Sequence, residues 1–189
     1  EAAKGASVYG KSIPLAPGMY RLNIVAKDVT GGNMNNYEMA LNVPRYDDET
    51  LASSSLILAD LLEPVPTRNI GSGQFVIGTM KVRPRVGESF RRDEKMGIYA
   101  QFYNFGLDEK THKPNAAIQY EVIKEGTNEK VIDFTEDVAA LEGASASQVT
   151  IEKLLPLQTL EPGKYTLRLT ALDRVRDQKV ATASTFTVN

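Results

Sequence analysis

The chain has 189 residues, a formal net charge of −2, 42% hydrophobic residues and no Cys. That length fits one large or two small domains with a packed core, and the near-neutral charge gives no electrostatic reason to expect nucleic acid or an anionic membrane surface as a partner. The absence of Cys removes disulfides and thiolate chemistry, and no apolar run approaches the ~20 residues that a membrane-crossing helix needs.

Residues 1–44 read as the last strands of a β-sandwich. The pattern allows a strand over Ser7–Leu15. Pro17-Gly18 then makes a turn, because Pro presets φ at about −65° and Gly accepts a positive φ. After it, Tyr20, Leu22, Ile24 and Ala26 alternate with Arg21, Asn23, Val25 and Lys27. A period of two with one apolar row is a half-buried strand. It ends at Asp28, Thr30-Gly31-Gly32-Asn33 turns the chain, and a last strand runs from Asn35 to Val43.

Residues 45–74 read as a linker that carries a candidate first strand of the next domain. Arg45-Tyr46-Asp47-Asp48-Glu49 is polar. Ser54–Leu62 is apolar enough for a buried strand or one short helix, and periodicity does not decide in so short a run. Glu63-Pro64-Val65-Pro66 ends it, and Asn69–Gly73 is loop.

Residues 75–189 read as a complete sandwich. The expected strands are Phe75–Val82, Met96–Phe105, Ala116–Glu125, Lys130–Phe134, Ser147–Leu157, Tyr165–Asp173 and Lys179–Val188, with Val138–Ser147 a small polar loop. Strands of this length between turn signals, with no long helical pattern, predict an all-β, immunoglobulin- or fibronectin type III-like β-sandwich. Met96–Phe105 carries large rings on both faces. Tyr99, Tyr103 and Phe105 are therefore a candidate interaction surface, since Tyr-rich exposed patches favour protein contacts. The competing expectation is that these rings fill the core.

The chain also repeats itself. Leu15-Ala16-Pro17-Gly18-Met19-Tyr20-Arg21-Leu22 returns as Leu160-Glu161-Pro162-Gly163-Lys164-Tyr165-Thr166-Leu167, and the register then holds without a gap, with Asp28 on Asp173, Leu41 on Phe186 and Val43 on Val188. A Tyr just after a Gly turn at a strand start matches the tyrosine corner of immunoglobulin-like sandwiches. Tyr20 and Tyr165 are the corner residues. Leu22 and Leu167 stand where antibody domains place a Cys, so packing alone seals this core. Two copies of one hairpin imply two domains of one kind, the first represented by its C-terminal strands only. An isolated hairpin is marginal in water. This one is expected to lean on the second domain, to pair with another copy as a homodimer, or to be partly disordered.

Catalytic constellations are not evident. His112 is the one His and sits in a polar loop, Asp108–Pro114, without a Ser or Cys nucleophile in a recognisable motif. Zinc would need several His or Cys ligands. Asp47, Asp48 and Glu49 are oxygen donors of a kind that suits calcium, but three acidic residues in a row more often form a solvated face. Asp28 and Asp173 are expected to cap turns rather than to bind metal. Arg83, Arg85, Arg91 and Arg92 alternate with Glu88, Asp93 and Glu94, and mixed signs argue for a solvated surface. No cofactor, no resident metal and no enzymatic activity are expected.

Several phrases carry a resemblance. They are Leu51–Asp60 (LASSSLILAD), Phe75-Val76-Ile77-Gly78, Lys81-Val82-Arg83-Pro84, Gly97-Ile98-Tyr99, Phe102-Tyr103-Asn104, and Leu154-Leu155-Pro156-Leu157 leading into Leu160–Tyr165. Together they resemble the C-terminal region of GWxTD-domain proteins, over nearly the whole chain. The motif that names that family is absent from these residues and would lie upstream. The resemblance implies a bacterial, exported protein of the cell envelope or surface, built from β-sandwich repeats, and it supplies no catalytic residues.

The expected function is a non-catalytic interaction or spacer module that contacts protein, either a second copy or an upstream domain, through an open β-edge. The alternatives are a carbohydrate-binding module, which the lack of Trp disfavours, and an accessory domain of a larger envelope enzyme.

Overall fold

The computed structural model describes residues 8–141 and 143–189. Their backbone divides into two units. One is the hairpin unit, Ser12–Asp48, and the other takes Glu49–Asn189 with the described residues up to Lys11. The described residues are all-β, with two short 3₁₀ turns at Thr67–Asn69 and Val138–Ala140.

The hairpin unit holds β1 (Gly18–Lys27) and β2 (Met34–Val43), paired antiparallel with Gly18 opposite Val43, Tyr20 opposite Leu41 and Lys27 opposite Met34. The expected strand over 7–15 does not form at residues 8–15, which have no regular structure. Residue Ser7 lies outside the described residues. The Asp28 carboxylate accepts the Thr30 amide at 2.9 Å, so it caps the turn.

The larger unit is a β-sandwich. Its first sheet runs β11 (Gln148–Pro156), β8 (Lys95–Tyr103), β4 (Ile57–Pro64), β6 (Met80–Pro84), β5 (Val76–Ile77), with β3 (Ala52–Ser53) also on β8. Its second runs β10 (Glu129–Asp137), β9 (Ala116–Lys124), β12 (Gly163–Asp173), β13 (Gln178–Val188), β7 (Ser89–Phe90). One core lies between them. Leu58, Met96, Ile98, Phe102 and Ile151 of the first sheet meet Ile118, Tyr120, Val122, Leu167, Leu169 and Phe186 of the second. Each set is one row of an alternating strand, which is why a period of two suffices to build both layers.

The sandwich begins ahead of residue 75. The segment expected as a linker with a first strand supplies β3 and β4, and β4 lies between β8 and β6 in the sheet. Ser54–Leu62 resolves as strand, not helix. The single strand expected over Phe75–Val82 is instead a tight hairpin, because Gly78 takes φ 58 and Ile77 pairs with Met80 across the two residues between them.

Two close approaches hold this arrangement. A Cβ on Gly97 would sit 2.9 Å from Leu62 Cβ and 3.0 Å from Ala59 Cβ, so the bulged β4 lies this close beside β8 only at a glycine. A Cβ on Gly106 would sit 2.7 Å from Val175 Cβ. There the buried Asp173 carboxylate accepts the Gly106 amide at 2.6 Å and the Val175 amide at 2.9 Å, tying the end of β12 to the exit of β8.

The tyrosine corner is formed in both copies. Tyr165 donates its hydroxyl to the Glu161 carbonyl at 2.7 Å, and Tyr20 donates to the Ala16 carbonyl at 2.8 Å. The Tyr165 ring is fully buried and stacks on Phe186 with centroids 5.5 Å apart. Tyr165→Phe is expected to lower stability by about 1–2 kcal/mol through loss of that hydrogen bond. Leu167→Ala should cost about 2–5 kcal/mol through a core cavity. Urea denaturation of both variants checks the order; equal midpoints for Tyr165→Phe and the parent would remove the corner's structural role.

Candidate interaction surface

The repeat gives the hairpin an internal standard. In β12 and β13, Gly163 faces Val188, Tyr165 faces Phe186 and Leu167 faces Ser184, the same register as Gly18 with Val43, Tyr20 with Leu41 and Leu22 with Met39. In the sandwich copy the row Tyr165, Leu167, Leu169, Ala171 is at most 1% exposed. In the hairpin copy Tyr20 and Leu22 are half-buried, while Ile24 is 50% and the facing Tyr37 60% exposed. Among the described residues, ten of the seventeen large apolar side chains that remain exposed belong to Ser12–Asp48. Large exposed apolar patches are a common feature of contact surfaces in general.

The sandwich treats its own open edges differently. β10 ends one sheet and β11 ends the other. On β11 the inward row is Val149, Ile151, Lys153, Leu155, and on β10 it is Ile132, Phe134, Glu136, opposite Val122, Tyr120 and Ile118. Each row thus carries one charge turned toward the core. Lys153 Nζ donates to Glu136 Oε1 at 2.8 Å and lies 5.6 Å from the centre of the Tyr120 ring, which stacks on Phe134. Burial, and behind it the neighbouring Glu136 carboxylate, push the Tyr120 hydroxyl's pKa up. An inward charge on an edge strand discourages edge-to-edge pairing, because a new strand would have to bury it. The alternation rule finds these two residues as breaks in otherwise apolar rows.

The surface expected from Tyr99, Tyr103 and Phe105 is largely closed. Tyr99 is 3% exposed, because the hairpin of β5 and β6 extends the sheet past β4 and packs Val82, Met80 and Ile77 with Ala59, Ile57 and Leu62 around it. Burial is also the main reason its hydroxyl's pKa rises to about 12, followed by the charge of Glu152. Phe105 is 2% exposed and belongs to the main core. Asn104 takes φ 67, which interrupts the alternation and turns Phe105 inward rather than beside Tyr103. Tyr103 alone is half-buried, donating to Gln101 Oε1 at 2.7 Å.

The other candidate residues are scattered. His112 is exposed in its loop at φ 53, its amide bonded to the Asp108 carbonyl. Asp47, Asp48 and Glu49 are exposed, and among the described residues no group of three or more His, Asp or Glu side chains gathers for a metal ion. Of Arg83, Arg85, Arg91 and Arg92, three are engaged with acids, and Arg92 donates to the Gln158 carbonyl at 3.0 Å. Arg83 bonds Asp60 at 2.6 Å, Arg91 bonds Asp93 at 3.0 Å, and Arg85 bonds Glu94 while lying 4.9 Å over the Phe90 ring. Asp60, Arg83, Arg85, Phe90, Glu94 and Lys95 line a charged hollow of about 280 Å³. No protein-family model matches the chain, and no curated protein matches its sequence.

Two expectations follow. The double variant Lys153→Leu with Glu136→Leu should be at least as stable as the parent, since an apolar pair replaces a half-buried ion pair. It should also self-associate more at equal concentration, read by light scattering, because the edge is no longer guarded. Unchanged mass would show that the pair guards nothing. Separately, Glu94 has a lowered pKa, first through the Arg85 hydrogen bond and then the Arg91 amide. Its contribution is present above its ordinary value of 4.5 and is lost as pH falls through the lower folded value. Glu94→Gln should therefore cost about 1–2 kcal/mol at neutral pH, and thermal unfolding should show the gap to the parent closing in acid, below that ordinary value.

Proposed function

We propose that the chain is a non-catalytic interaction module, with a spacer role, of an exported, envelope-associated protein, and that it contacts other protein through its N-terminal hairpin. The observation that carries this reading is the hairpin's apolar row. At the same register, the row that is fully covered in the sandwich is half-buried at Tyr20 and Leu22 and open at Ile24 and Ala26 in the hairpin. Burying such a row is favourable by about 25 cal/mol per Å² of apolar surface, so a partner surface gains what the sandwich gains from its own second sheet.

The finer fold reading belongs to the same proposal. The strand orders β11-β8-β4 and β10-β9-β12-β13 fit the two sheets of a fibronectin type III-like domain, with β5, β6 and β7 as additions between its first two strands. The tyrosine corner at the start of β12 supports an immunoglobulin-like assignment. The resemblance to GWxTD-domain proteins is the support for export and for an envelope setting. The buried rings of β8 offer no open aromatic platform for a glycan.

A photo-crosslinking residue at position 37, introduced in cells that make the protein, tests the reading. Adducts with polypeptide are expected from position 37 and not from position 150 on the guarded edge. A chain that yields no polypeptide adduct from position 37 is not an interaction module of this kind.

A further inference from the structure

The described strands leave several edges open, and the repeat distinguishes among them. In the sandwich, β12 is paired on its far side by β9 over Tyr165–Asp173, antiparallel and without interruption. Among the described strands, the far side of β13 is paired with β7 alone, parallel, at Thr187 and Val188. The two hairpins share one register, so the edge of β1 corresponds to the edge of β12 and that of β2 to the edge of β13. The inward-charge guard of β10 and β11 has no counterpart on β1. Its inward row, Tyr20, Leu22, Ile24 and Ala26, is uncharged, and its charges, Arg21 and Lys27, fall on the other row.

We propose that β1 is the docking edge for an extended strand of a partner protein, which pairs antiparallel along Tyr20–Asp28. This rests on the interaction-module reading and assigns its edge, direction and ligand chemistry. The copy in the sandwich supplies the pattern. There Val122, Tyr120 and Ile118 of β9 lie opposite Leu167, Leu169 and Ala171, so the partner strand carries three alternating apolar residues opposite Leu22, Ile24 and Ala26. Arg21 is held by Glu38 at 3.2 Å. An acidic partner residue opposite Lys27 fits the remaining charge at the strand's end. Main-chain hydrogen bonds would supply affinity, and the alternating side chains would supply specificity.

The probe is a synthetic peptide with this chain's own β9 sequence, residues 116–124, against a scrambled peptide that lacks the alternation. Amide exchange is followed by NMR on the labelled 189-residue chain. The expected result is slowing of β1 amides by about tenfold or more with the β9 peptide alone, and loss of that protection in Ile24→Lys with β12 amides unchanged. Protection confined to β2, β10 or β11 overturns the edge assignment and leaves the module reading standing. No protection, with crosslinking from position 37 retained, overturns strand addition alone; loss of both overturns the module reading as well. A β1 protected without peptide in a dimer, seen by light scattering, makes a second copy the occupant and overturns the partner proposal.

Discussion

An apolar row on a strand has to be covered, and the structure is arranged around that requirement. The chain has no Cys, so no disulfide shares the task, and among the described residues no cluster of metal ligands is gathered. Two sheets face each other and their rows interdigitate. The tyrosine corner, the Asp173 cap and the close approaches at Gly97 and Gly106 do not generate that burial. They hold the turns and strand ends in positions where burial can occur, and they do so with hydrogen bonds to backbone groups that would otherwise be left unsatisfied near the core. The hairpin has the same local parts, down to the same hydroxyl–carbonyl bond, but little burial along its apolar row. Local chemistry is therefore sufficient to shape a hairpin of this kind and insufficient to bury it.

β8 is the strand on which the sandwich is most committed. Its even-numbered residues Met96, Ile98, Ala100 and Phe102 enter the main core, and Tyr99 on the opposite face enters a second, smaller cluster. A strand covered on both faces needs material on both sides. Here that material comes from β4 and from the segment after it, whose short hairpin extends the sheet past β4. Gly97 leaves no room for a side chain beside Ala59 and Leu62, so β4 approaches β8 this closely where β8 has none.

Much of this was legible in the sequence, and the failures have physical causes. The repeat, the two corner tyrosines, the turn-capping aspartates and the strands from β8 onward follow from period-two alternation and Pro-Gly chemistry, which are local. The strand expected over Phe75–Val82 failed at Gly78, because a glycine inside an apolar run reads equally as a strand residue or as a turn. The surface expected at Tyr99, Tyr103 and Phe105 failed for non-local reasons. Nothing in MGIYAQFYNF indicates that a hairpin from an earlier segment will cover Tyr99, or that Asn104 will adopt a left-handed backbone and redirect Phe105. Lys153 and Glu136 were readable as charges on apolar rows, yet their pairing joins strands from different sheets and needed the fold to appear.

The repeated hairpin also sets a problem for folding. While the chain is still open, β9 meets two edges of nearly the same pattern, β1 and β12, and choosing the wrong one is the misassembly to which tandem repeats are prone. Local rows do little to discriminate, since Leu22 and Ile24 would receive Val122 and Tyr120 much as Leu167 and Leu169 do. The outward row does discriminate. Glu121 lies opposite Arg168 in β12, at 3.9 Å, whereas the matching position in β1 is Asn23. The intervening chain is also unequal, because only β10 and β11 lie between β9 and β12, and nearer partners close smaller loops. One charge on the solvent side and a difference in loop length thus distinguish two copies that are alike in their core-facing residues.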